Sequence, residues 1–156
     1  MVGDILVPFF AVGAAELGDK TQLSLLLLST KTRKHLLLLS GAMLAFLIVD
    51  GLAILLCACI AELLPTKLLK IISGIIFIIL GVLILRENAK SEESKLYSRG
   101  PFVSGFLVIF LTEWGDKTQI ASGLFVTKYN AFMVLAGTLA ALTVLSLMAI
   151  YLGRFI

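Results

Sequence analysis

The chain carries the same seven-residue segment twice, and each copy lies inside a long apolar run. The first copy is Glu16–Gln22 (ELGDKTQ) and the second is Glu113–Gln119 (EWGDKTQ), so only one position differs. Each copy places two carboxylates and one ammonium group where the flanking sequence predicts lipid. Because ionisable side chains are costly at membrane depth, they are rare there and mark ion or substrate pathways. The duplication therefore predicts a transporter built from two related halves.

The overall composition supports a membrane protein. Hydrophobic residues make up 60% of the 156 residues and charged residues only 15%, with a mean hydropathy of +1.08. Soluble domains have about half their residues apolar and about a quarter charged. The apolar residues form five blocks, each long enough to cross a bilayer, which takes roughly 20 residues. The sequence thus predicts an all-α, multi-pass bundle, with blocks at about 4–28, 36–62, 67–86, 101–126 and 131–153.

The repeat extends beyond the motif and defines the organisation of the chain. A shift of 97 positions superimposes the two motifs, and a shift of 96 then superimposes Gly41 on Gly137. We expect a first repeat of three transmembrane helices at 1–86, a polar linker at 87–100 and a second repeat at 101–156. The second repeat shows only two of its three helices, so we expect a sixth helix to come from further residues or from a partner.

Charge distribution predicts the orientation. Three helices per repeat make the second repeat enter the membrane from the opposite side, so the repeats are expected to be inverted. Cations concentrate in the loops of the cytoplasmic side. Eight cations fall on one predicted side and three on the other, leaving aside the motif lysines. This places the linker in the cytoplasm and the N-terminus outside, in a cell (plasma or inner) membrane. The eight are Lys31, Arg33, Lys34, Arg86, Lys90, Lys95, Arg99 and Arg154; the three are Lys67, Lys70 and Lys128.

On a regular helix the motif residues form one polar face. Glu16 and Asp19 then lie roughly 60° apart, and Lys20 lies one turn beyond Glu16, a spacing that favours an ion pair. Gly18 allows close approach of another group and permits local unwinding. Gln22 extends the acidic face by a further turn. The second copy repeats this pattern with Glu113, Gly115, Asp116, Lys117 and Gln119.

The charges predict a divalent cation as cargo. Each motif carries two acids and one base, so two motifs that meet in mid-membrane carry a net charge of −2. The predicted ligands are carboxylate and amide oxygens with the hydroxyls of Thr21 and Thr118, which suit Ca²⁺, Mn²⁺ or Mg²⁺. Protons that compete for the same carboxylates would supply exchange. No resident cofactor is expected, and the CxC pair Cys57 and Cys59 lacks metal-binding spacing.

Asp50 is a further acid, in the middle of the second block, and its repeat counterpart is Ser146. Its role is open between a proton carrier, a partner of a motif lysine and a cation ligand. The expected partners are the lipid bilayer, divalent cations and protons, and a homo-oligomer is left open. Nucleic acid is not expected, because topology accounts for the cations at helix ends and in short loops.

Three alternatives compete with an antiporter. The motifs could be Glu–Lys pairs that only hold helices together, although each motif has a surplus acid. A passive channel for divalent cations would lack proton coupling. An intramembrane acid hydrolase needs two aspartates that share a proton, but a lysine follows each motif aspartate and would keep it ionised. We therefore predict a transporter and not an enzyme.

The two E-x-G-D-K-T-Q segments, one in each three-helix half, resemble the Gdt1-type cation/proton exchangers, a family with the pattern E-x-G-D-[KR]-[ST] twice in six helices. The resemblance covers the whole chain, and both motifs match fully. It implies export of Mn²⁺ or Ca²⁺ from the cytosol against protons. It also implies that the ion-binding acids are Glu16, Asp19, Glu113 and Asp116.

Overall fold

The computed structural model describes residues 2–63, 71, 75, 100–114 and 116–155, and the regular structure in these residues is entirely helical. Most of the predicted third block and most of the linker lie outside the described residues. The described residues form six helices: α1 (Val2–Glu16), α2 (Lys20–Thr30), α3 (His35–Leu63), α4 (Pro101–Thr112), α5 (Lys117–Val126) and α6 (Ala131–Arg154).

The two long helices are the second and fifth apolar blocks of the sequence. His35–Cys59 within α3 and the whole of α6 are long and apolar enough to cross a membrane. Asn130 sets the start of α6, because its side chain accepts a hydrogen bond of 3.0 Å from the Phe132 N–H, which satisfies one of the free donors of the first turn. These helices form where continuous runs of apolar residues meet a capping residue or a polar turn.

The first and fourth apolar blocks are not single helices, so that part of the predicted architecture is wrong. The first block breaks between Glu16 and Lys20, and the fourth breaks at the equivalent place in the second motif. Gly18 has φ +82°, a left-handed conformation that favours glycine. Asp19 and Asp116 are extended, with ψ of 168° and 161°, and each is the cap residue of the next helix. The motif therefore ends one half-helix and starts another.

The helices pack in a crossed arrangement between the two repeats. Helix α3 of the first repeat packs mainly against α4 of the second and less extensively against α5, and α6 of the second packs mainly against α1 and α2 of the first. Helices α3 and α6 also contact each other. Each motif is therefore supported chiefly by the long helix of the other repeat.

Two equivalent glycines make this close packing possible. A Cβ at Gly41 would collide with the carbonyl oxygen of Phe102 on α4, and a Cβ at Gly137 would collide with the carbonyl oxygen of Ile5 on α1. The partners are equivalent too, since Ile5 and Phe102 are 97 positions apart. Small residues at such positions let helix backbones approach closely. The buried core runs through these contacts and includes Val12, Leu25, Leu38, Ala45, Phe46, Val108, Ile109, Ala141, Leu142 and Ala149.

Candidate functional site

The two helix breaks bring acidic side chains from both repeats to one place. One carboxylate oxygen each from Glu16, Asp19 and Asp116 lies within 4.8 Å of the others. Glu16 is the last residue of α1 and is only 1% exposed, while the two aspartates are partly buried at the starts of α2 and α5. Spacing of this kind allows a single cation to contact all three carboxylates.

Glu113 adjoins this group from the second repeat. It is 1% exposed, and its carboxylate forms a hydrogen bond with the side chain of Thr21 on α2. It also lies within electrostatic range of Glu16, Asp116 and Asp50. The four acids of the predicted ion-binding set thus occupy one buried region, and Thr21 joins them as a hydroxyl from the opposite repeat.

The starts of α2 and α5 place helix N-termini at the two motif aspartates. Neither Asp19 nor Asp116 uses its carboxylate to cap its own helix, although each occupies the cap position. The N-terminus of a helix carries a partial positive charge that stabilises anions. Both aspartate side chains therefore lie where a helix dipole attracts negatively charged groups.

The motif glutamines bridge the breaks. Nε2 of Gln22 donates to the backbone oxygen of Glu16 at 2.6 Å, and Oε1 of Gln22 accepts from the Gly18 N–H at 3.0 Å. In the second repeat, Nε2 of Gln119 donates to the backbone oxygen of Glu113 at 2.9 Å. The sequence predicted that these glutamines are cation ligands through their amide oxygens. Their repeated contact is with the carbonyl that ends the preceding half-helix, so they hold the break in shape.

The structure does not support the predicted ion pair within the first motif. Lys20 is exposed at the first position of α2, and in the described part of the chain no salt bridge joins it to Glu16. The spacing argument assumed one continuous helix, and the break at Gly18 changes the relative direction of the two side chains. The side chains of Lys117 and Thr118, and residue Gly115, lie outside what the structure describes.

Asp50 extends the acidic region on one side only. It lies on α3 with 0% exposure, and within the described residues neither of its carboxylate oxygens has a hydrogen-bond partner. Asp116 and Glu113 are its charged neighbours. The equivalent residue on α6 is Ser146, which is also buried, at 2% exposure. The second motif is therefore flanked by an additional buried acid.

A buried hydroxyl pair was not foreseen from the sequence. Oγ of Ser122 on α5 lies 3.4 Å from Oγ1 of Thr138 on α6, and both residues are fully buried. Their counterparts in the first repeat are Leu25 and Ala42, so the repeat pattern offered no signal for this contact. It links a motif helix to the long helix of its own repeat.

Comparison with known proteins identifies the family. A model of the family "Divalent cation/proton antiporter GDT1" matches residues 4–92 and 101–156. The chain belongs to the GDT1 family. The resemblance read from the two motifs is thereby confirmed, and so is the prediction of a transporter rather than an enzyme.

GDT1 relatives occur in bacteria and in chloroplasts. A Vibrio cholerae protein named "Putative manganese exporter" is 32% identical over 152 residues, covering 96% of this chain and 76% of its own length. A GDT1-like protein of Synechocystis is 27% identical over 169 residues, covering 93% of this chain and 80% of its own length. The chloroplastic protein PAM71 of Arabidopsis thaliana is 40% identical over 53 residues, or 34% of this chain and 14% of its own length. No solved structure matches the chain.

Proposed function

We propose that this GDT1 protein exports Mn²⁺ from the cytosol in exchange for protons, with Ca²⁺ as a second candidate cargo. The observation that carries the proposal is the convergence of Glu16, Asp19 and Asp116, from two repeats, within 4.8 Å. Carboxylate oxygens suit Mn²⁺ and Ca²⁺, and the described residues of the site provide neither thiolate nor imidazole. The name of the Vibrio cholerae relative favours Mn²⁺ as the cargo.

The proposed ligands are the four motif acids, with Thr21 as a hydroxyl neighbour and Asp50 as a fifth acid. In transporters of this kind, half-helix ends at the centre of the membrane line the ion site. Here Glu16 is the last residue of α1, Glu113 is the cap residue that follows α4, and the two motif aspartates are the cap residues that precede α2 and α5. Gln22 and Gln119 stabilise the breaks by hydrogen bonds to the backbone, so each motif holds its glutamate and aspartate in a non-helical segment.

Exchange follows from the crowding of the acids. Carboxylates held this close repel one another when all are ionised and no cation is present. The empty site relieves that repulsion by taking up protons, and the loaded site relieves it through the divalent cation. Binding of the metal must therefore release protons, and this couples the two ions without a separate proton pathway.

The membrane arrangement of the two repeats is part of the proposal. We infer inverted repeats at 1–86 and 101–156, joined by a cytoplasmic linker, with the N-terminus outside. The reciprocal packing of α3 on α4 and of α6 on α1 supports a two-fold relation between them. The excess of cations on one predicted side supports the orientation.

Proteoliposomes that contain the purified full-length protein test this function. Mn²⁺ added to one side should drive protons to the opposite side, read with a pH-sensitive dye, and Ca²⁺ and Mg²⁺ should be compared at equal concentration. Because the metal displaces protons, its apparent affinity should be higher at pH 8 than at pH 6. Metal flux without proton counterflow, and an affinity unchanged over that pH range, would indicate a passive channel instead.

A further inference from the structure

A second site lies away from the motif acids, where the start of α3 meets the end of α6. A cavity of about 480 Å³ opens there, and a neighbouring cavity of about 550 Å³ shares part of its lining. Arg33 and Arg154 line both cavities, and Lys34 lines the first. No acidic residue is among the described residues that line either cavity. Among the described residues, the three positive charges therefore face the cavities without a carboxylate in the lining.

The remaining wall of the first cavity is mainly apolar. Leu37, Leu39 and Leu147 contribute to it, together with Ile150 and the ring of Tyr151. Tyr151 is 56% exposed, so the wall continues onto the outer surface of the helices. A small hydrophilic anion would leave this wall uncovered. The lining instead suits a molecule with an anionic head and an apolar tail.

The beginning of α3 adds backbone donors to the cationic side. The helix begins at His35, and its first regular backbone bond beyond the turn runs from the Leu38 N–H to the Lys34 oxygen. The N–H groups of the preceding residues lack helical acceptors, which makes a helix N-terminus a binding place for phosphate groups. Nδ1 of His35 is also buried without a hydrogen-bond partner in the described residues.

The equivalent corner of the second repeat lacks these charges. The turn before α6 has Tyr129 and Asn130 where the turn before α3 has Arg33 and Lys34, and Ala58 of α3 corresponds to Arg154 of α6. The cationic cavity is therefore not a by-product of the repeated architecture. Its three cationic residues all have uncharged counterparts in the other repeat.

We propose that this cavity binds one anionic phospholipid, with the phosphodiester between Arg33 and Arg154 and an acyl chain along the leucine wall. Arginine binds phosphate oxygens through two parallel N–H donors, and basic pockets between transmembrane helices bind anionic head groups. The lipid would fix the start of α3 to the end of α6, at a distance from the cation site. The proposal does not depend on which metal the protein transports.

Native mass spectrometry of the full-length protein tests this site. The detergent-solubilised protein is mixed with equal amounts of phosphatidylglycerol and phosphatidylcholine, and lipid adducts are counted. Phosphatidylglycerol should be retained preferentially, and the double variant R33Q/R154Q should lower its retention about tenfold. The matched control is Lys31→Gln, which removes a charge from the same turn but does not line either cavity. The control should retain the lipid as the unchanged protein does.

Three results would overturn the proposal. They are equal retention of the two lipids, an equal loss in Lys31→Gln, and displacement of the lipid by inorganic phosphate at millimolar concentration. The single variant Arg154→Gln covers the case in which the double variant does not fold, because Arg154 is exposed at the last position of α6. It should lower retention severalfold, and full retention by this folded variant would also contradict the proposed site.

Discussion

The two repeats share a scaffold but differ in charge. Glu16 and Glu113 have the same 1% exposure at equivalent helix breaks, and the same motif residue, glutamine, bridges each break. The long helices differ, because α3 carries Asp50 where α6 carries Ser146. The shared part builds the site, and the difference places additional negative charge beside the second motif. The two sides of the acidic region are therefore unequal in charge.

The contacts between the long helices and the half-helices also share their geometry between the repeats but differ in their residues. Gly153 of α6 faces the backbone oxygen of Leu26, whereas Cys57, which is equivalent to Gly153, faces Gly123. Gly123 is in turn equivalent to Leu26. Each contact thus has one glycine, but the glycine is on the long helix in one case and on the half-helix in the other. The close approach is kept while its residues are exchanged.

The largest effect should come from the motif glutamates. Glu16→Gln and Glu113→Gln should each lower Mn²⁺-driven proton flux by more than about a hundredfold, because changes even outside the ligand shell of metal sites cost 10–100-fold. Flux is measured in proteoliposomes, and folding by thermal melting. Asp4→Asn, an equivalent loss of charge in the first turn of α1, should leave flux unchanged. Loss in one glutamate variant only would show that the two motifs are not equivalent.

The difference between Asp50 and Ser146 can be exchanged. Asp50→Ser should weaken Mn²⁺ binding about 10–100-fold, measured by isothermal titration calorimetry. The double variant D50S/S146D moves the fifth acid to the other repeat and should recover most of the affinity, because each long helix packs on the motif helices of the other repeat. Ser146→Asp alone is the control for tolerance of an acid at this position. If a well-folded double variant still binds Mn²⁺ weakly, the acid is required at position 50 and cannot be replaced by one on the other repeat.

The close contacts at Gly41 and Gly137 should contribute equally to the stability of the protein. Gly41→Ala and Gly137→Ala should each lower stability by about 1–3 kcal/mol, because the added methyl group meets a backbone carbonyl. Gly51→Ala is the control, since a Cβ there has nothing within 4 Å. That change should keep or raise stability, as alanine favours helix over glycine. Thermal melting in detergent would contradict the shared packing if only one of the two variants were destabilised.

The smallest expected effect concerns the bridging glutamines. Gln22→Ala and Gln119→Ala should each cost about 1 kcal/mol, the typical net value of a lost hydrogen bond, and should raise hydrogen exchange at the helix breaks. Thr30→Val removes a hydroxyl bond to the Leu27 oxygen at an exposed helix end and should cost less. Unchanged exchange at the breaks in both glutamine variants would mean that the amides do not hold them.

Much of the fold could be predicted from the sequence. Continuous apolar runs identified α3 and α6, and the repeated motif located the acids that the structure brings together. The internal repeat also indicated that the two halves are built alike. These features depend on composition and on short-range patterns, which a single sequence displays directly.

The helix breaks were less predictable, because the motif residues are compatible both with a continuous helix and with a break. Gly18 indicated unwinding, but the sequence did not show that Asp19 would become a cap residue rather than one face of a helix with Glu16. The Thr21–Glu113 contact joins residues of different repeats, and only the crossed packing creates it. The glutamine amides donate to the backbone oxygens of Glu16 and Glu113. These oxygens lose their helical partners only because the helix ends there, so the sequence did not show this role.

The crossed packing has a consequence for synthesis at the ribosome. Helices α1 and α2 are made first, but their main partner among the described helices is α6, which emerges more than a hundred residues later. Until then α1 lacks the long helix on which it packs, and the carboxylate of Glu16 lacks Asp116 until the second motif has been made. The nascent first repeat must therefore be accommodated by lipid, water or the insertion machinery, and the protein acquires its acid cluster only after the second motif has been inserted.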